Sequence, residues 1–309
     1  MQLIRGIHNI KAQDHGCVLT IGNFDGVHKG HQKVIESLVS KAKELNCVPA
    51  VLVFEPQPQE VFSPKSAPAR LSRLRDKYNL LSALGVERLI CIPFTFAFAG
   101  QSPEQFIKSL LVEKLGIKYL IVGDDFHFGK NRAGNYQMLR KAGEAFGFNV
   151  SDTASCKMLD CRVSSTAIRE ALDSNDLVQA ENMLGRPYSI SGKVFHGDKR
   201  GRQLGFPTAN VRLRRTKSPL NGVFAVNILT ASGTFKGVAN IGDRPTISGV
   251  RQQLEVNIFD FNKNLYGQKI EVIVKTKLRE VIKFDSLEAL KQQIDKDVKQ
   301  AKAYFKKFE

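Results

Sequence analysis

Cys17-Val18-Leu19-Thr20-Ile21 runs directly into Gly22-Asn23-Phe24-Asp25-Gly26-Val27-His28-Lys29-Gly30-His31, and this stretch decides how the first half folds. The first five residues read as a short buried strand. Residues 30–45 then place Val34, Ile35, Leu38, Val39, Ala42 and Leu45 on one helical face. Between strand and helix, glycines let the backbone approach a phosphate closely, and the helix N-terminus adds free N–H groups and positive potential. His28 and His31 can both face such an anion and donate hydrogen bonds to charge building on an α-phosphate during in-line attack. Taken alone, His-x-Gly-His fits a helix cap with two surface histidines equally well.

Working outward, Val48–Phe54, Arg88–Ile92 and Tyr119–Val122 read as further strands, separated by helical stretches near 72–84 and 103–115. That alternation predicts a Rossmann-like α/β domain, its parallel sheet covered on both faces. Ligands bind beyond the carboxyl ends of such strands, so the loops after Ile21, Phe54 and Val122 are the first candidates. After Leu184-Gly185-Arg186-Pro187 the pattern changes. Short extended runs follow at Tyr188–Phe195, Val223–Leu229, Thr234–Ile241, Gln253–Phe259 and Ile270–Lys275, most of them separated by Gly- and Asn-containing turns. They predict a small antiparallel β-barrel. A final amphipathic helix spans about residues 286–305, with Asp285-Ser286-Leu287-Glu288 offering a side-chain cap. The boundary near 184–187 divides the chain into domains 1–185 and 186–309.

The chain has 309 residues, enough for two cores, and 42% hydrophobic with 25% charged residues suits a globular protein. With 46 Lys+Arg against 30 Asp+Glu, the net charge of +16 attracts anions: nucleic acid, an acidic membrane surface or nucleotide phosphates. Charge cannot choose among these, but no nucleic-acid recognition signature or aromatic-interleaved basic stripe stands out. Cys17, Cys47, Cys91, Cys156 and Cys161 form no CxxC pair or zinc-like cluster and read as buried free thiols in a reducing cytosol. The start, Met-Gln-Leu-Ile-Arg, has no sustained apolar core or cleavage site, and no apolar run approaches the roughly 18 residues of a membrane span. A cytoplasmic protein without membrane or nucleic-acid partners is expected.

The Gly22–His31 stretch closely resembles the nucleotide-binding motif of the nucleotidylyltransferase superfamily, and its longer form resembles the bacterial FAD synthetases within it. Three more segments match that family in order: Phe54-Glu55-Pro56-Gln57-Pro58, Gly123-Asp124-Asp125-Phe126-His127-Phe128-Gly129 and Ser164-Ser165-Thr166-Ala167-Ile168-Arg169. The resemblance implies an FMN adenylyltransferase domain. His28 and His31 would be catalytic. Gly22, Asn23, Phe24, Gly30, Ser164, Ser165, Thr166 and Arg169 would hold ATP, and Asp125, Phe126 and Phe128 the flavin. Read blind, Ser-Ser-Thr is also a plain helix cap, and the two phenylalanines are also core. Gln57 stands where the family commonly has His, and His127 where it commonly has Arg. Gln57 can still hydrogen-bond a phosphate but carries no charge.

In the second half, Gly201-Arg202-Gln203-Leu204-Gly205-Phe206-Pro207-Thr208-Ala209-Asn210 resembles the riboflavin kinase signature. Alternation puts the Thr208 and Asn210 oxygens on one face of an extended segment, a donor pair suited to Mg2+. Gly201 and Gly205 would wrap the ATP phosphates. Further matches are Gly222–Val226, Asn240–Thr246, Leu254-Glu255-Val256-Asn257, Leu265-Tyr266-Gly267 and Leu278-Arg279. The resemblance makes Glu255 the base for the ribityl hydroxyl and puts Arg279 at the flavin. Alone, Pro-Thr-Ala-Asn is a turn entering a strand, and Glu255 a solvated strand residue. Asn257 replaces a commoner His, which bears on how the base is oriented. The whole implies riboflavin phosphorylation to FMN, then adenylylation of FMN to FAD, with ATP as co-substrate and Mg2+ in both steps. The alternatives are a riboflavin kinase with a silenced adenylylation site, or a basic nucleic-acid-binding protein on a nucleotide fold.

Overall fold

The structure, a computed structural model, describes residues 1–153, 163–197, 205–213, 217–246 and 249–307. Cys156, Cys161 and Gly201 lie outside the described residues. Two compact units emerge: residues 1–68 with 72–163, and 69–71 with 164–309.

The first unit is built on a parallel sheet of β1 (Gln2–Arg5), β2 (Cys17–Ile21), β3 (Val48–Phe54), β4 (Arg88–Ile92), β5 (Tyr119–Val122) and β6 (Asn149–Asp152), in the order β1-β4-β3-β2-β5-β6. β2 to β5 have the bounds expected from sequence, because each is a run of apolar residues buried on both faces. Alternation divides them. Leu19, Ile21, Leu52 and Ile90 join Leu110, Leu111 and Leu139 in one core layer. Val18, Val51, Leu89 and Ile121 join Ile35, Leu38 and Leu81 in the other. Truncating a fully buried residue such as Leu19 to Ala costs about 3 kcal/mol, since the site keeps part of the void. The edge strands β1 and β6 escaped the sequence reading: both are short, and their residues are mostly polar or exposed. The expected 103–115 helix begins at Pro103–Gln105 and continues as a π-helix, Phe106–Lys114.

Strand order places the site. From β2 the chain adds β3 and β4 on one side, then returns to lay β5 against the other side of β2. A reversal of this kind opens a crevice between two diverging loops, the usual ligand position in open parallel sheets. Here those loops follow Ile21 and Val122.

The second unit contains a closed antiparallel barrel in the order β10-β11-β8-β7-β12-β9, as the turn-separated runs implied. Its strands are β7 (Ser189–Phe195), β8 (Thr208–Arg212), β9 (Gly222–Thr230), β10 (Gly233–Thr246), β11 (Gly249–Ile258) and β12 (Lys269–Arg279). Val211, Phe224, Val226, Ala239, Ile241, Leu254 and Val256 are fully buried inside it. The alternate positions therefore face outward. Over part of that outer face the helix Leu287–Lys306 packs Ala301 and Phe305 against Val223, Ala225 and Val238. Ser286 caps this helix, accepting from the Ala289 N–H at 3.1 Å.

Candidate active sites

In the first unit, the chain leaves β2 at Gly22 and enters the helix Lys29–Glu44 through a tight loop. Phe24 and Val27 adopt left-handed backbone there, with φ of 46° and 43°. His28 is the helix N-cap, its Nδ1 accepting from the His31 N–H at 3.3 Å. The two imidazoles stack with centroids 3.6 Å apart and planes 17° from parallel, and the Phe24 ring lies 4.9 Å from His31. Gly30 lets the backbone pass close to the His28 ring: a Cβ there would sit 3.2 Å from it, so the ring would have to give by a few tenths of an ångström. Both histidines are thus directed by the loop and are not the surface pair that the bare motif also allowed; His28 is 6% exposed.

His31 Nδ1 is buried without a hydrogen-bond partner. Burial, then the neighbouring His28 and Lys77, hold the imidazole well below its ordinary range, so it is uncharged at neutral pH. Gln57 Nε2 is likewise buried without a partner, at the N-cap of the short helix Pro58–Phe62. Orphaned buried polar atoms are uncommon in native proteins and concentrate where a ligand completes them.

Beside the loop lies a cavity of about 900 Å3. Its wall combines Gly22 and Asn23 from the loop after β2, Phe54 at the end of β3, and Phe126, His127 and Phe128 from the loop after β5. All three loops singled out from sequence therefore contribute to one hollow. Rings from elsewhere complete it. Phe94 packs edge-on against Phe54 at 5.4 Å and Phe62 at 5.5 Å, while Phe126 stacks on Phe128 at 5.7 Å. Phe62 and Phe96 stay 57% and 69% exposed at its rim. Sequence reasoning missed Phe62, Phe94, Phe96 and Phe98; the last three recur at every second residue in Phe94-Thr95-Phe96-Ala97-Phe98, and that spacing is the signal that could have found them. Lys130 and Arg132 add positive charge to the lining. Asp125 is exposed, and its carbonyl meets His127 Nδ1 at 2.8 Å.

Ser164, Ser165, Thr166 and Arg169 belong to the second compact unit. Ser164 caps the helix Ser165–Asp173, accepting from the Ala167 N–H at 3.1 Å, and Arg169 Nε donates to the Ala69 carbonyl at 2.5 Å.

On the barrel, register brings the candidate residues together. Asn210 on β8 lies directly opposite Glu255 on β11, Thr208 opposite Asn257, and Glu255 is flanked on its other side by Asn240 of β10. Cross-strand partners share a face, so Thr208, Asn210, Asn240 and Glu255 all face outward. Gln253 Nε2 donates to Asn210 Oδ1 and, at 3.1 Å, to Glu255 Oε1. Asn240 Oδ1 is buried without a partner, adding another acceptor beside Glu255. Gln253 and Asn240 were not singled out from sequence; alternation from Glu255 and the register of β10 are the signals that find them. Asn257 Nδ2 donates to the Pro207 carbonyl at 3.0 Å, tying down the entry to Thr208. Gly205 has φ +88°, which favours glycine. Arg279 Nε and Nη2 each donate to the buried Asp297 carboxylate at 2.8 Å, tying the end of β12 to the terminal helix.

Comparison with known proteins finds a family match for each half of the chain. Residues 10–167 match the FAD synthetase family model and residues 184–305 the riboflavin kinase model. A bifunctional riboflavin kinase/FMN adenylyltransferase of Haemophilus influenzae is 54% identical over 306 residues, covering 99% of both chains. The Escherichia coli protein of the same name is 48% identical over 307 residues, covering 99% of this chain and 98% of its own. A solved structure from Streptococcus pneumoniae, named a macrolide-efflux protein, superposes with a TM-score of 0.77 at 28% identity, covering 96% of this chain and 97% of that one. Among the described residues no helix is long and apolar enough to cross a membrane. The chain belongs to the bifunctional riboflavin kinase/FMN adenylyltransferase family.

Proposed function

We propose that this chain converts riboflavin to FAD in two ATP-dependent steps, phosphorylation in domain 186–309 and adenylylation in domain 1–185. The observation that carries this reading is that two separate folded units each hold a set of phosphate-directed groups. One is the His28–His31 stack at a helix start beside an aromatic cavity; the other is the Asn210–Glu255 pair across two strands.

In the kinase step, Glu255 accepts the proton of the ribityl 5′-hydroxyl as that oxygen attacks the γ-phosphorus of ATP. The bond from the γ-phosphorus to its bridging oxygen breaks, and ADP leaves. Gln253 orients the carboxylate through its bond to Oε1. Thr208 and Asn210 would hold Mg2+. The donor set fits, since the Gln253 amide nitrogen already faces oxygens of both Asn210 and Glu255, a charge pattern a cation also satisfies. When bound, Mg2+ screens the charge of the phosphates. Gly201 and Gly205 would wrap the ATP phosphates, and Arg279 would meet the flavin.

In the second step, a phosphate oxygen of FMN attacks the α-phosphorus of ATP and pyrophosphate departs. His28 and His31 donate hydrogen bonds to the charge growing on the α-phosphate. Gly22, Asn23, Phe24 and Gly30 frame the nucleotide. The cavity is large enough for a flavin ring, and its phenylalanine wall suits a flat aromatic ligand, with Phe126 and Phe128 against it and Asp125 at its edge. Cys17 and Cys91 are buried free thiols and Cys47 a partly exposed one, which fits a reducing cytoplasm.

Purified protein given riboflavin, ATP and Mg2+ tests this reading. FMN followed by FAD is the expected product sequence. FMN accumulating without FAD would mean that Gln57 and His127 have silenced the second site.

A further inference from the structure

On the outer face of the barrel, Asn210, Glu255 and Asn240 stand in one row on the adjacent strands β8, β11 and β10. Adjacent strands lie about 4.8 Å apart, so Asn240 is one such step from Glu255, on the side away from Asn210. The Asn240 amide oxygen is buried and finds no hydrogen-bond partner among the described residues. An acceptor left so costs the desolvation of the group, and native proteins keep few of them. Glu255 cannot supply the bond, because as the base it is a carboxylate, which only accepts. The donor that completes Asn240 comes from outside the barrel. Water can fill that place until a substrate arrives.

Gly242 lies two residues further along β10, and so on the same face as Asn240. Its missing side chain leaves a gap. A Cβ built there would sit 3.3 Å from Val281 Cγ2, 3.8 Å from Asn240 Oδ1 and 3.9 Å from Asn221 Oδ1. Two amide oxygens and one exposed apolar side chain thus border an open strip that begins beside the base.

Taking riboflavin phosphorylation at Glu255 as the function of the second unit, we propose that Asn240 is a specificity-determining residue for that reaction. Its amide oxygen accepts a hydrogen bond from a hydroxyl in the interior of the ribityl chain, and the gap at Gly242 gives the chain room to pass. The terminal 5′-hydroxyl is fixed at Glu255 by its own chemistry. From there a few carbon–carbon bonds cover the distance of one strand spacing and bring a secondary hydroxyl to Asn240. Selection follows from the same bond. A flavin without internal hydroxyls would cover the Asn240 oxygen, strip it of water and leave it unpaired. Sites built to bond a hydroxyl reject such analogues more strongly than apolar pockets reject a change of size.

The test uses the full chain as wild type and Asn240→Ala, with riboflavin and 2′,3′,4′-trideoxyriboflavin as alternative substrates. The analogue keeps the ring and the terminal hydroxyl but has no internal hydroxyl. Phosphorylation is measured with ATP and Mg2+, and riboflavin binding is read from flavin fluorescence with ADP and Mg2+. Adenylylation of supplied FMN by the same preparation is the reference for the first unit. In wild type the analogue should have a kcat/KM at least about thirtyfold below that of riboflavin. Asn240→Ala should lower kcat/KM for riboflavin and weaken its binding by about thirtyfold, while kcat/KM for the analogue stays within about threefold of wild type. A merely structural role would lower both substrates equally, and that result overturns the proposal. So does a folded Asn240→Ala that phosphorylates riboflavin within about threefold of wild type. If Asn240→Ala does not fold, Asn240→Leu, which keeps most of the volume, carries the same expectations, and equal kcat/KM for the two flavins in wild type overturns the proposal without any variant. Wild type that makes no FMN from riboflavin at all would instead sink the functional reading of the second unit, which separates the two failures.

Discussion

Replacing Asp25 with Ala removes the carboxylate through which Ser72 grips the nucleotide loop. Asp25 is 2% exposed and Ser72 5%, so water cannot substitute freely for the lost acceptor. Two hydrogen bonds to a charged oxygen disappear, at 3.0 and 3.2 Å. Bonds to charged groups contribute about 1.5–3 kcal/mol each, and the stranded Ser72 N–H adds its desolvation cost. The Ser72 hydroxyl keeps its bond from the Gly26 N–H, which lowers the total. A net loss of about 3 kcal/mol follows, or about a hundredfold in the population of the ordered loop, because 1.4 kcal/mol is tenfold. FAD formation from FMN should fall by about that factor, while FMN formation from riboflavin should hardly change. The assay supplies riboflavin, ATP and Mg2+ and quantifies both products with time; FMN should accumulate in the variant. A double-mutant cycle with Ser72→Ala should show coupling of about 1–2 kcal/mol. The reasoning is refuted if Asp25→Ala forms FAD within about threefold of wild type, or if the two substitutions are additive.

Changing His28 and His31 together to Ala should abolish FAD formation and spare FMN formation, read from the same two-product assay. Glu255→Ala should do the reverse, abolishing riboflavin phosphorylation while supplied FMN is still adenylylated; equal impairment of both steps in a folded protein would contradict the two-site division. Asp14→Asn should destabilise the first unit by about 3 kcal/mol in denaturant unfolding, because it breaks a nearly buried pair with Arg88 at 3.6 Å. Burial pushes the Asp14 carboxyl up, but the Lys11 backbone N–H, the Gln2 amide and the Arg88 charge outweigh it and leave the carboxyl below its ordinary 3.8. Its contribution to stability is therefore fully present above pH 3.8 and is lost as pH falls through the lower folded value, so wild type and Asp14→Asn should converge in stability only in acid.

Much of the fold was legible because it is locally encoded. β2 to β5 are apolar runs bounded by turn residues, and each was found with its bounds. Of the barrel strands, β7 was found to within one residue, β8 was not among the expected runs, and others were found short: β10 runs on to Thr246 and β12 to Arg279, where their residues no longer alternate cleanly. The helix Tyr136–Phe146 lay outside the sequence reading; Asn135 caps its start, and Leu139 and Gly143 are its buried residues. At the sites the sequence named His28, His31, Thr208, Asn210 and Glu255, whose identity and spacing are read along one strand or turn. It did not name Lys77, Gln253, Asn240 or the cavity phenylalanines Phe62, Phe94, Phe96 and Phe98.

The division has a physical cause. Residues close in sequence are positioned by the geometry of one strand, turn or helix, and that geometry is written in their order. Lys77 meets the carbonyl of Asn23 across 54 positions, and Asn210 lies opposite Glu255 only in the particular register of β8 on β11. A slip of one residue there would turn Glu255 toward the barrel interior with every local preference unchanged. Sequence alone settled which chemical groups each half carries; packing across the sheet and closure of the barrel settled which of them meet.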